Sequence, residues 1–500
     1  MTTSPSEQPA GRPVDAPYDV LVVGAGPAGL AAATRAGGQG VTVALLDAGA
    51  VPGGQYWRQP APAAAPNTGA ALDPTDLAYL HHDLAGYHAL VDRLDRQRRR
   101  GTTTYLPGHH VWAVEREETP DGDRFVVHAL DSTVPGGGTS RTLTARRLVL
   151  ATGAYDRQVP FPGWDLPGVI TAGGAQALLK GHGVPAGRRV VVAGTGPFLL
   201  PVAAGLAAAG TQVIGVHEAG SPRAWLRHAG AVGRNLNKLS EGAGYAAALV
   251  RHRVPVRTRS VLVAAHGTDR LEAVTVARAD GKGGVVPGSE ERVACDTLAV
   301  GWGFTPQLEL PLSLGCRTRV DADGSVVCAV DEDQESTVPG VYVAGETCGV
   351  GGAALALLEG AMAGAAAAGT PLRDRRPRRQ RVALRRFATA MHQAHPVPAG
   401  WVDRVDEDTV VCRCEEVTAA RLRAAVTDLG AADARGGKLL ARTGMGWCQG
   451  RVCGYAAACL TAAWSGTPYD PTRVGTRPVA TPVPLGALGV TVGHDVTDGD

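Results

Sequence analysis

The stretch Tyr18-Asp-Val-Leu-Val-Val-Gly-Ala-Gly-Pro-Ala-Gly29 decides the fold of this chain. Its apolar residues 18–23 predict a short buried strand, and the alanine-rich residues after the turn predict a helix that continues to about Ala36. A second strand is predicted over residues 41–46 and ends at Asp47. Gly-x-Gly-x-x-Gly in this strand–turn–helix–strand setting, followed by an acid, is typical of a dinucleotide-binding unit.

Each residue of this turn has a distinct expected role. Gly24 makes the turn, Gly26 lets the pyrophosphate approach the backbone, and Gly29 lets the helix pack closely on the strand. The N-terminus of the helix then faces the phosphates, and Asp47 accepts the ribose hydroxyls. The residues predicted to bind the nucleotide here are Gly24, Gly26, Pro27, Ala28, Gly29 and Asp47.

Two further motifs indicate that this nucleotide is FAD. Ala151-Thr152-Gly153 and Val341-Tyr-Val-Ala-Gly345-Glu346 follow predicted buried strands, and the arrangement resembles the glutathione reductase and thioredoxin reductase class of flavoproteins. In that class the second motif places an acid against the ribityl chain, and here Glu346 stands where Asp is usual. The resemblance adds these residues to the predicted FAD site: Gly54, Gln55, Val111, Ala151, Thr152, Gly153, Gly345 and Glu346.

A second nucleotide-binding unit is predicted to begin at Arg189. Its turn contains Gly194 and Gly196 but has Leu199 where the third glycine belongs, and Glu218 ends the next strand. This weaker motif leaves three interpretations open, namely an NAD site, a site for another adenine nucleotide, or a scaffold without a ligand.

Four cysteines near the C-terminus form two pairs, Cys412-Arg-Cys414 and Cys448-Gln-Gly-Arg-Val-Cys453. Four thiolates from two short segments suit a [2Fe-2S] cluster or a structural zinc. Zinc ribbons usually use Cys-x-x-Cys at both ends, whereas the spacing here and the sequence around it are similar to the [2Fe-2S] domain of bacterioferritin-associated ferredoxins. A [2Fe-2S] cluster bound by Cys412, Cys414, Cys448 and Cys453 is therefore predicted, with zinc and a decayed site as alternatives.

The predicted architecture is α/β, with two Rossmann-like domains of the reductase class and a small C-terminal [2Fe-2S] module. The expected division of the 500 residues is a disordered leader (1–17), a discontinuous FAD-binding domain (18–164 and 300–371), a second nucleotide-binding domain (165–299), an Arg-rich linker (372–405), the [2Fe-2S] module (406–464) and a Pro-rich tail (465–500). The net charge of +2 provides no general attraction for nucleic acid. Without a signal peptide or a membrane span, the chain is expected to be cytoplasmic.

The motifs together resemble a known family, the FAD-binding alpha subunits of heteromeric amino-acid and opine dehydrogenases. The segments that carry this resemblance are Gly53-Gly-Gln-Tyr-Trp-Arg58, Ala151-Thr-Gly-Ala-Tyr-Asp-Arg157, Pro160-Phe-Pro-Gly-Trp164, Leu166-Pro-Gly-Val-Ile-Thr-Ala-Gly173 and Gly194-Thr-Gly-Pro-Phe-Leu-Leu-Pro201. The resemblance covers residues 18–485 and is specific for the type of subunit, but it does not identify the substrate.

The family implies a hetero-oligomer with a flavoprotein beta subunit, which oxidises a C–N bond of an amine or amino acid. The present chain is then expected to receive the electrons through FAD and the [2Fe-2S] cluster. Two alternatives are a self-sufficient NAD(P)H-dependent reductase and a redox-sensing binding module. No catalytic acid or base is identified, and the amine substrate, the terminal acceptor and the stoichiometry are not determined by the sequence.

Overall fold

The structure is a computed structural model that describes residues 16–60, 79–120, 122–134, 138–233, 236–280, 283–473 and 479–489. Residues 1–15 of the predicted leader lie outside the described residues, and so do residues 474–478 and 490–500 of the predicted tail.

The secondary structure alternates between strands and helices over most of the chain. The strands are β1 (Tyr18–Val23), β2 (Val43–Asp47), β3 (Thr103–Pro107), β4 (His109–Glu117), β5 (Arg124–Asp131), β6 (Thr139–Leu150), β7 (Ala154–Asp156), β8 (Val169–Thr171), β9 (Arg189–Gly194), β10 (Gln212–Glu218), β11 (Val256–Thr258), β12 (Ser260–His266), β13 (Ala273–Arg278), β14 (Glu291–Ala294), β15 (Thr297–Gly301), β16 (Phe304–Pro306), β17 (Thr318–Val320), β18 (Val326–Cys328), β19 (Val341–Val343), β20 (Val410–Cys412) and β21 (Val417–Thr418). The helices are α1 (Pro27–Gly37), α2 (Leu84–Arg99), α3 (Ala172–His182), α4 (Leu199–Ala208), α5 (Ala229–Gly233), α6 (Leu236–Arg251), α7 (Glu309–Ser313), α8 (Ala353–Ala367), α9 (Arg375–Ala394), α10 (Ala419–Thr427), α11 (Ala434–Ala441), α12 (Gly454–Ser465) and α13 (Leu485–Gly489).

The first sheet has the strand order β3-β2-β1-β6-β5-β4, and β19 also pairs with β6. Strand β6 can hold two neighbours on one side because it is 12 residues long. Its first part pairs antiparallel with β5, and its last residues, Leu148–Leu150, pair parallel with β19. Since β1, β6 and β19 are parallel, their carboxyl ends meet at one edge of the sheet. The turns after these three strands are the three predicted FAD motifs.

Helices α1 and α8 cover one face of this sheet and contact each other through backbone. A Cβ atom on Gly360 would lie 2.0 Å from the carbonyl oxygen of Ala28, and one on Gly364 would lie 2.2 Å from that of Ala32. The glycines are spaced by one helical turn, so they form a strip without side chains along α8. Glycine at these two positions therefore sets the distance between the helices.

The second sheet is parallel, with the order β11-β10-β9-β15-β8. Strand β13 belongs to a separate antiparallel sheet, in which it pairs with β12 on one side and β14 on the other.

The Arg-rich segment predicted as an exposed linker is instead largely the 20-residue helix α9. Leu384 and Ala388 are buried at a spacing of one helical turn. Arg381 and Arg385 both bind the carboxylate of Glu359 in α8, at 3.0 and 2.7 Å, and Glu359 is fully buried. The prediction failed because the buried acid that pairs these arginines lies on another helix.

The four-Cys module shares a hydrophobic core with the second sheet. Val411, Leu422 and Leu460 of the module pack in the same cluster as Val191 of β9 and Leu298 of β15. The indole nitrogen of Trp164 donates a hydrogen bond of 2.5 Å to the carbonyl of Val410. The described part of the tail returns to the first sheet, where Ala487 packs against Trp112. None of the helices in the described ranges is both long and apolar enough to cross a membrane.

The contact between α1 and α8 predicts different effects for two helical glycines. Gly364→Ala places a methyl group against the backbone of Ala32, which no side-chain rotation relieves, and we expect a loss of about 1–3 kcal/mol in the free energy of unfolding. Gly242→Ala in α6 meets nothing within 4 Å and should be neutral or stabilising by about 0.5–1 kcal/mol. Urea unfolding of both variants checks this. Equal stability of the two would contradict the close packing.

Candidate functional site

The candidate site begins at the carboxyl edge of the first sheet, where the turn after β1 is held by backbone contacts. Gly24 has a φ of 98°, and a Cβ there would lie 2.4 Å from the carbonyl oxygen of Ala151. A Cβ on Gly29 would lie 1.6 Å from the carbonyl oxygen of Gly24. Both positions therefore require glycine for the fold itself, in agreement with their predicted roles.

Gly26 differs from these two glycines because the space beside it is open. A Cβ on Gly26 would have only the Cα of Gly54 within 4 Å, at 3.9 Å, and its φ of −68° is ordinary. Gly26 caps α1, and Pro27 begins the helix. The free space in front of a helix N-terminus fits a pyrophosphate, whose charge this end of the helix favours.

Asp47, at the end of β2, accepts hydrogen bonds from the backbone nitrogens of Ala25 at 2.9 Å and Gly49 at 3.1 Å. Burial raises its pKa, and these two bonds act in the opposite direction. The carboxylate is thus fixed beside the turn where a ribose is expected. Gln55 accepts a bond from Arg58, and Val111 lies buried in β4.

The motifs after β6 and β19 touch each other. The hydroxyls of Thr152 and Thr347 are 3.4 Å apart, and a Cβ on Gly345 would lie 3.0 Å from the Cβ of Ala28. Gly153 has a φ of 80° with open space beside it. The turn after β1, the segment after β2, and the motifs after β6 and β19 therefore meet at the N-termini of α1 and α8. We call the open space beside Gly26 and Gly153 the recess.

Two acids lie near this recess. Burial raises the pKa of Glu346 to about 7, opposed by the charge of Arg385 and reinforced by Asp156. Asp156 accepts a bond of 2.8 Å from the hydroxyl of Thr171, and burial raises its pKa as well. A carboxyl group that titrates near neutral pH can exchange a proton with a bound group.

The turn after β9 has a similar backbone, but its acid accepts more hydrogen bonds than Asp47 does. Gly196 has a φ of 105° with nothing within 4 Å, so there is room for a ligand, whereas a Cβ on Gly194 would meet the carbonyl of Gly301 at 1.8 Å. Glu218 accepts bonds from the backbone nitrogens of Gly196 and Gly220, and from the hydroxyl of Thr195.

A histidine from α9's C-terminal end reaches the same acid. The Nδ1 of His395 lies 3.4 Å from Glu218, and its Nε2 accepts a bond of 3.0 Å from the indole nitrogen of Trp225. A ribose at Glu218 would compete with these contacts. The sequence motif alone could not indicate this, because His395 follows Glu218 by more than 170 residues.

The four predicted ligand cysteines lie together as two pairs. The thiol of Cys412 contacts that of Cys453, and the thiol of Cys414 contacts that of Cys448. Cys412 and Cys453 are buried, and the other two are partly exposed. The contact with Cys453, together with backbone bonds such as that from Gly444, lowers the pKa of Cys412 to about 6.

Glycines bring the two segments of this module together. A Cβ on Gly446 would lie 2.2 Å from the Cβ of Cys414, and the backbone nitrogen of Gly444 is 3.5 Å from the sulfur of Cys412. Across the described ranges, the side chains of His, Cys, Asp and Glu form no group of three or more with the geometry of a metal site. The donor set still fits a thiolate-bound centre, since it consists of four thiols.

Arg451, between Cys448 and Cys453, joins the four-Cys module to the recess. Its Nε lies 3.1 Å from the hydroxyl of Tyr155 and 3.0 Å from a carboxylate oxygen of Glu309. Its Nη1 donates to the carbonyl of Cys448 at 3.1 Å. The side chains of Arg451 and Glu309 are only 10% and 6% exposed, so this is a buried ion pair. Tyr155 follows the predicted FAD motif by two residues, so Arg451 connects the cysteine loop to the segment after that motif.

Sequence reasoning missed the residues that act between segments. Lys180 is buried in α3 and donates a bond of 2.8 Å to the carbonyl of Tyr56. Burial lowers its pKa to about 8. Asp156, Glu309 and Arg451 were also not predicted. Asp156 and Tyr155 do lie in Ala151-Thr-Gly-Ala-Tyr-Asp-Arg157, one of the segments that carry the family resemblance.

A family model described as pyridine nucleotide-disulphide oxidoreductase matches residues 18–386. The chain is 33% identical to an opine oxidase subunit of Rhizobium meliloti over 495 residues, which are 94% of this chain and 98% of the relative. It is 31% identical to hydrogen cyanide synthase subunit HcnB of Pseudomonas protegens over 459 residues, which are 89% and 92% of the two chains.

Among solved structures, the L-proline dehydrogenase from P. horikoshii is similar with a TM-score of 0.64 and 20% identity. The match covers 95% of this chain and 80% of that chain. At this identity the similarity supports the fold alone, and it extends beyond the part that the family model matches.

We predict that the buried ion pair of Arg451 contributes more to the free energy of unfolding than an exposed ion pair in the same module. Arg451→Met removes a buried guanidinium together with its contacts to Glu309, Tyr155 and the carbonyl of Cys448, and we expect a loss of about 3–5 kcal/mol in the free energy of unfolding. The matched control is Arg442→Met, which removes an exposed pair with Glu415 and should cost less than about 1 kcal/mol. Urea unfolding followed by tryptophan fluorescence measures both. Similar losses for the two variants would show that the junction contributes little.

Proposed function

The chain belongs to the pyridine nucleotide-disulphide oxidoreductase family, and from this premise we propose that it is the electron-transferring alpha subunit of a heteromeric amine, amino-acid or opine dehydrogenase. The family makes the chain an oxidoreductase and implies FAD. Its relatives of nearly equal length are named as subunits, of opine oxidase and of hydrogen cyanide synthase, which fits a chain that works with a partner.

We propose that FAD occupies the recess at the carboxyl edge of the first sheet. Gly26 and Gly54 would flank the pyrophosphate, Asp47 would bind the adenosine ribose, and Glu346 would lie beside the ribityl chain. The other residues proposed to line the site are Gly24, Pro27, Ala28, Gly29, Gln55, Val111, Ala151, Thr152, Gly153 and Gly345. The open space beside Gly26 and Gly153 supports this assignment.

We further propose that Cys412, Cys414, Cys448 and Cys453 hold a [2Fe-2S] cluster. The pairing of the four thiols in one glycine-lined loop region supports it. When bound, FAD accepts the two electrons of a hydride, and the cluster passes electrons one at a time. Trp447, which precedes Cys448, is 75% exposed and offers a surface where a partner or acceptor could dock.

The observation that carries the electron-transfer function is the contact of Arg451 with Tyr155, Glu309 and Cys448. It fixes the cysteine loop against the segment that follows the FAD motif. A module that served only for folding would not need a buried charge at this junction, because a buried ion pair adds little net stability compared with apolar packing.

The domain division proposed above is retained with one change. We assign 18–164 and 300–371 to FAD binding, 165–299 to the second unit and 406–464 to the cluster. Helix α9 is grouped with the FAD-binding part because its arginines bind Glu359 of α8. A self-sufficient NAD(P)H-dependent reductase is the weaker alternative, since Glu218 already binds His395 and backbone nitrogens.

The first prediction from this proposal concerns Gly26. Gly26→Val should abolish FAD binding while the protein stays folded, because the new side chain enters open space rather than protein. Asp47→Ala should weaken FAD binding by about 1–3 kcal/mol. The flavin absorbance of the purified variants, with circular dichroism as a folding control, measures this. A full flavin spectrum in Gly26→Val would refute the placement.

The second prediction concerns the cluster. The purified chain should contain about two iron and two inorganic sulfides. Cys448→Ser should remove the iron and sulfide but leave the flavin, whereas Cys459→Ser, outside the two pairs, should keep both. One zinc without sulfide would instead establish the alternative metal.

The third prediction tests the subunit role. The chain alone should turn over little of any amine, because in the proposed division of labour the flavoprotein partner holds the pocket that orients the substrate carbon. We would assay dye reduction with opines, proline derivatives, sarcosine and glycine, with and without a co-expressed flavoprotein partner. Activity only with the partner is expected. Turnover of about ten per second by the chain alone would refute the proposal, and rapid reduction of the flavin by NADH would favour the reductase.

A further inference from the structure

A cavity of about 770 Å³ lies between α9 and the segment at residues 222–233, away from the recess described above. Its lining contains five arginines and one histidine, and no aspartate or glutamate. The lining residues are Arg227, His228, Gly230, Ala231, Arg375, Arg378, Arg379, Val382, Ala383 and Arg386. The whole chain has a net charge of only +2, so this concentration of positive charge is local.

Helix α9 carries two sets of arginines with different surroundings. Arg381 and Arg385 both bind the carboxylate of Glu359. Residues 375, 379, 382 and 386 recur at the spacing of one helical face and line the cavity. The arginines that line the cavity are therefore different from those that bind α9 to α8.

Most of these cations lack a compensating acid. Arg378 is paired with Glu332 and Asp333, although its Nε is buried without a hydrogen-bond partner among the described residues. In the part of the chain that the structure describes, the other four arginines of the lining form no ion pair. The nearest acid in sequence, Asp374, accepts a bond from the backbone nitrogen of Arg376 and caps the helix.

Like charges that converge on one cavity repel each other, and an anion that binds there removes the repulsion. Arginine binds phosphate groups through two parallel hydrogen bonds, which favours phosphate over a simple anion. The volume lies within the usual range for small-ligand sites, about 300–1,000 Å³.

We propose that this cavity binds an oligophosphate chain, either inorganic or the triphosphate of a nucleotide. The recognised chemistry is the row of phosphate groups, each of which can meet one or two guanidinium groups. The site is separate from the turn at Gly196, and the proposal does not depend on FAD, on the cluster or on the partner subunit.

The test is calorimetric titration of the full-length purified protein with tripolyphosphate, ATP, AMP, adenosine and sulfate at equal ionic strength. Tripolyphosphate and ATP should bind in a 1:1 ratio with similar affinity, AMP should bind much more weakly, and adenosine should not bind. Added salt should weaken the binding, because the cations are partly exposed.

Variants locate the site. Arg379→Gln and Arg386→Gln should each weaken tripolyphosphate binding by about tenfold. Arg376→Gln is the matched control, because Arg376 is an exposed arginine of the same helix that does not line the cavity. The melting temperature without ligand should be the same for all three variants.

Several results would overturn the proposal. Sulfate binding as tightly as tripolyphosphate would indicate simple charge screening. Binding of ATP that is lost in Glu218→Gln but kept in Arg379→Gln would move the site to the second turn. An absence of tripolyphosphate binding, combined with capture of an acidic protein that Arg379→Gln abolishes, would make the cavity a protein interface instead.

Discussion

The rest of the structure depends on the backbone contact between α1 and α8. Gly360 and Gly364 lie against the carbonyl groups of Ala28 and Ala32 with no side chain between the helices. This contact brings the N-termini of both helices to the same edge of the first sheet. An anionic cofactor placed there faces two helix ends at once, and each end favours negative charge. The spacing of the two helix ends is thus set by backbone atoms, which no side-chain rotation can move.

A second constraint joins the recess to the four-Cys module. Arg451 is buried between Glu309, Tyr155 and the carbonyl of Cys448. A buried ion pair adds little net stability compared with apolar packing, but it favours the arrangement in which both groups keep their contacts. The pair therefore selects one position for the cysteine loop. This is the property that electron transfer between two centres requires, since the rate depends on a fixed separation.

Helix α9 shows how the same residue type can serve two purposes. Arginines on its inner face bind Glu359 and hold the helix to the FAD-binding half, whereas those on its outer face surround a cavity without acids. Near its end, His395 contacts Glu218 in the second unit. A single helix thus connects the first sheet, the second turn and the basic cavity. Binding of a polyanion at the cavity would act on a helix that already contacts both nucleotide-binding units.

The sequence by itself determined the α/β class, the main strands of both sheets, helix α1, and the three motifs that meet at one sheet edge. These features depend on local patterns: apolar runs form buried strands, and glycines such as Gly24 are required where the backbone turns or approaches another backbone. Only the tertiary structure decided which distant groups become partners. The linker prediction failed because Arg381 and Arg385 bind Glu359 of another helix, and the sequence around Arg451 gave no sign that it contacts Glu309. Pairings of single charges across hundreds of residues leave no periodic pattern in a sequence, so they become visible only when the chain is folded.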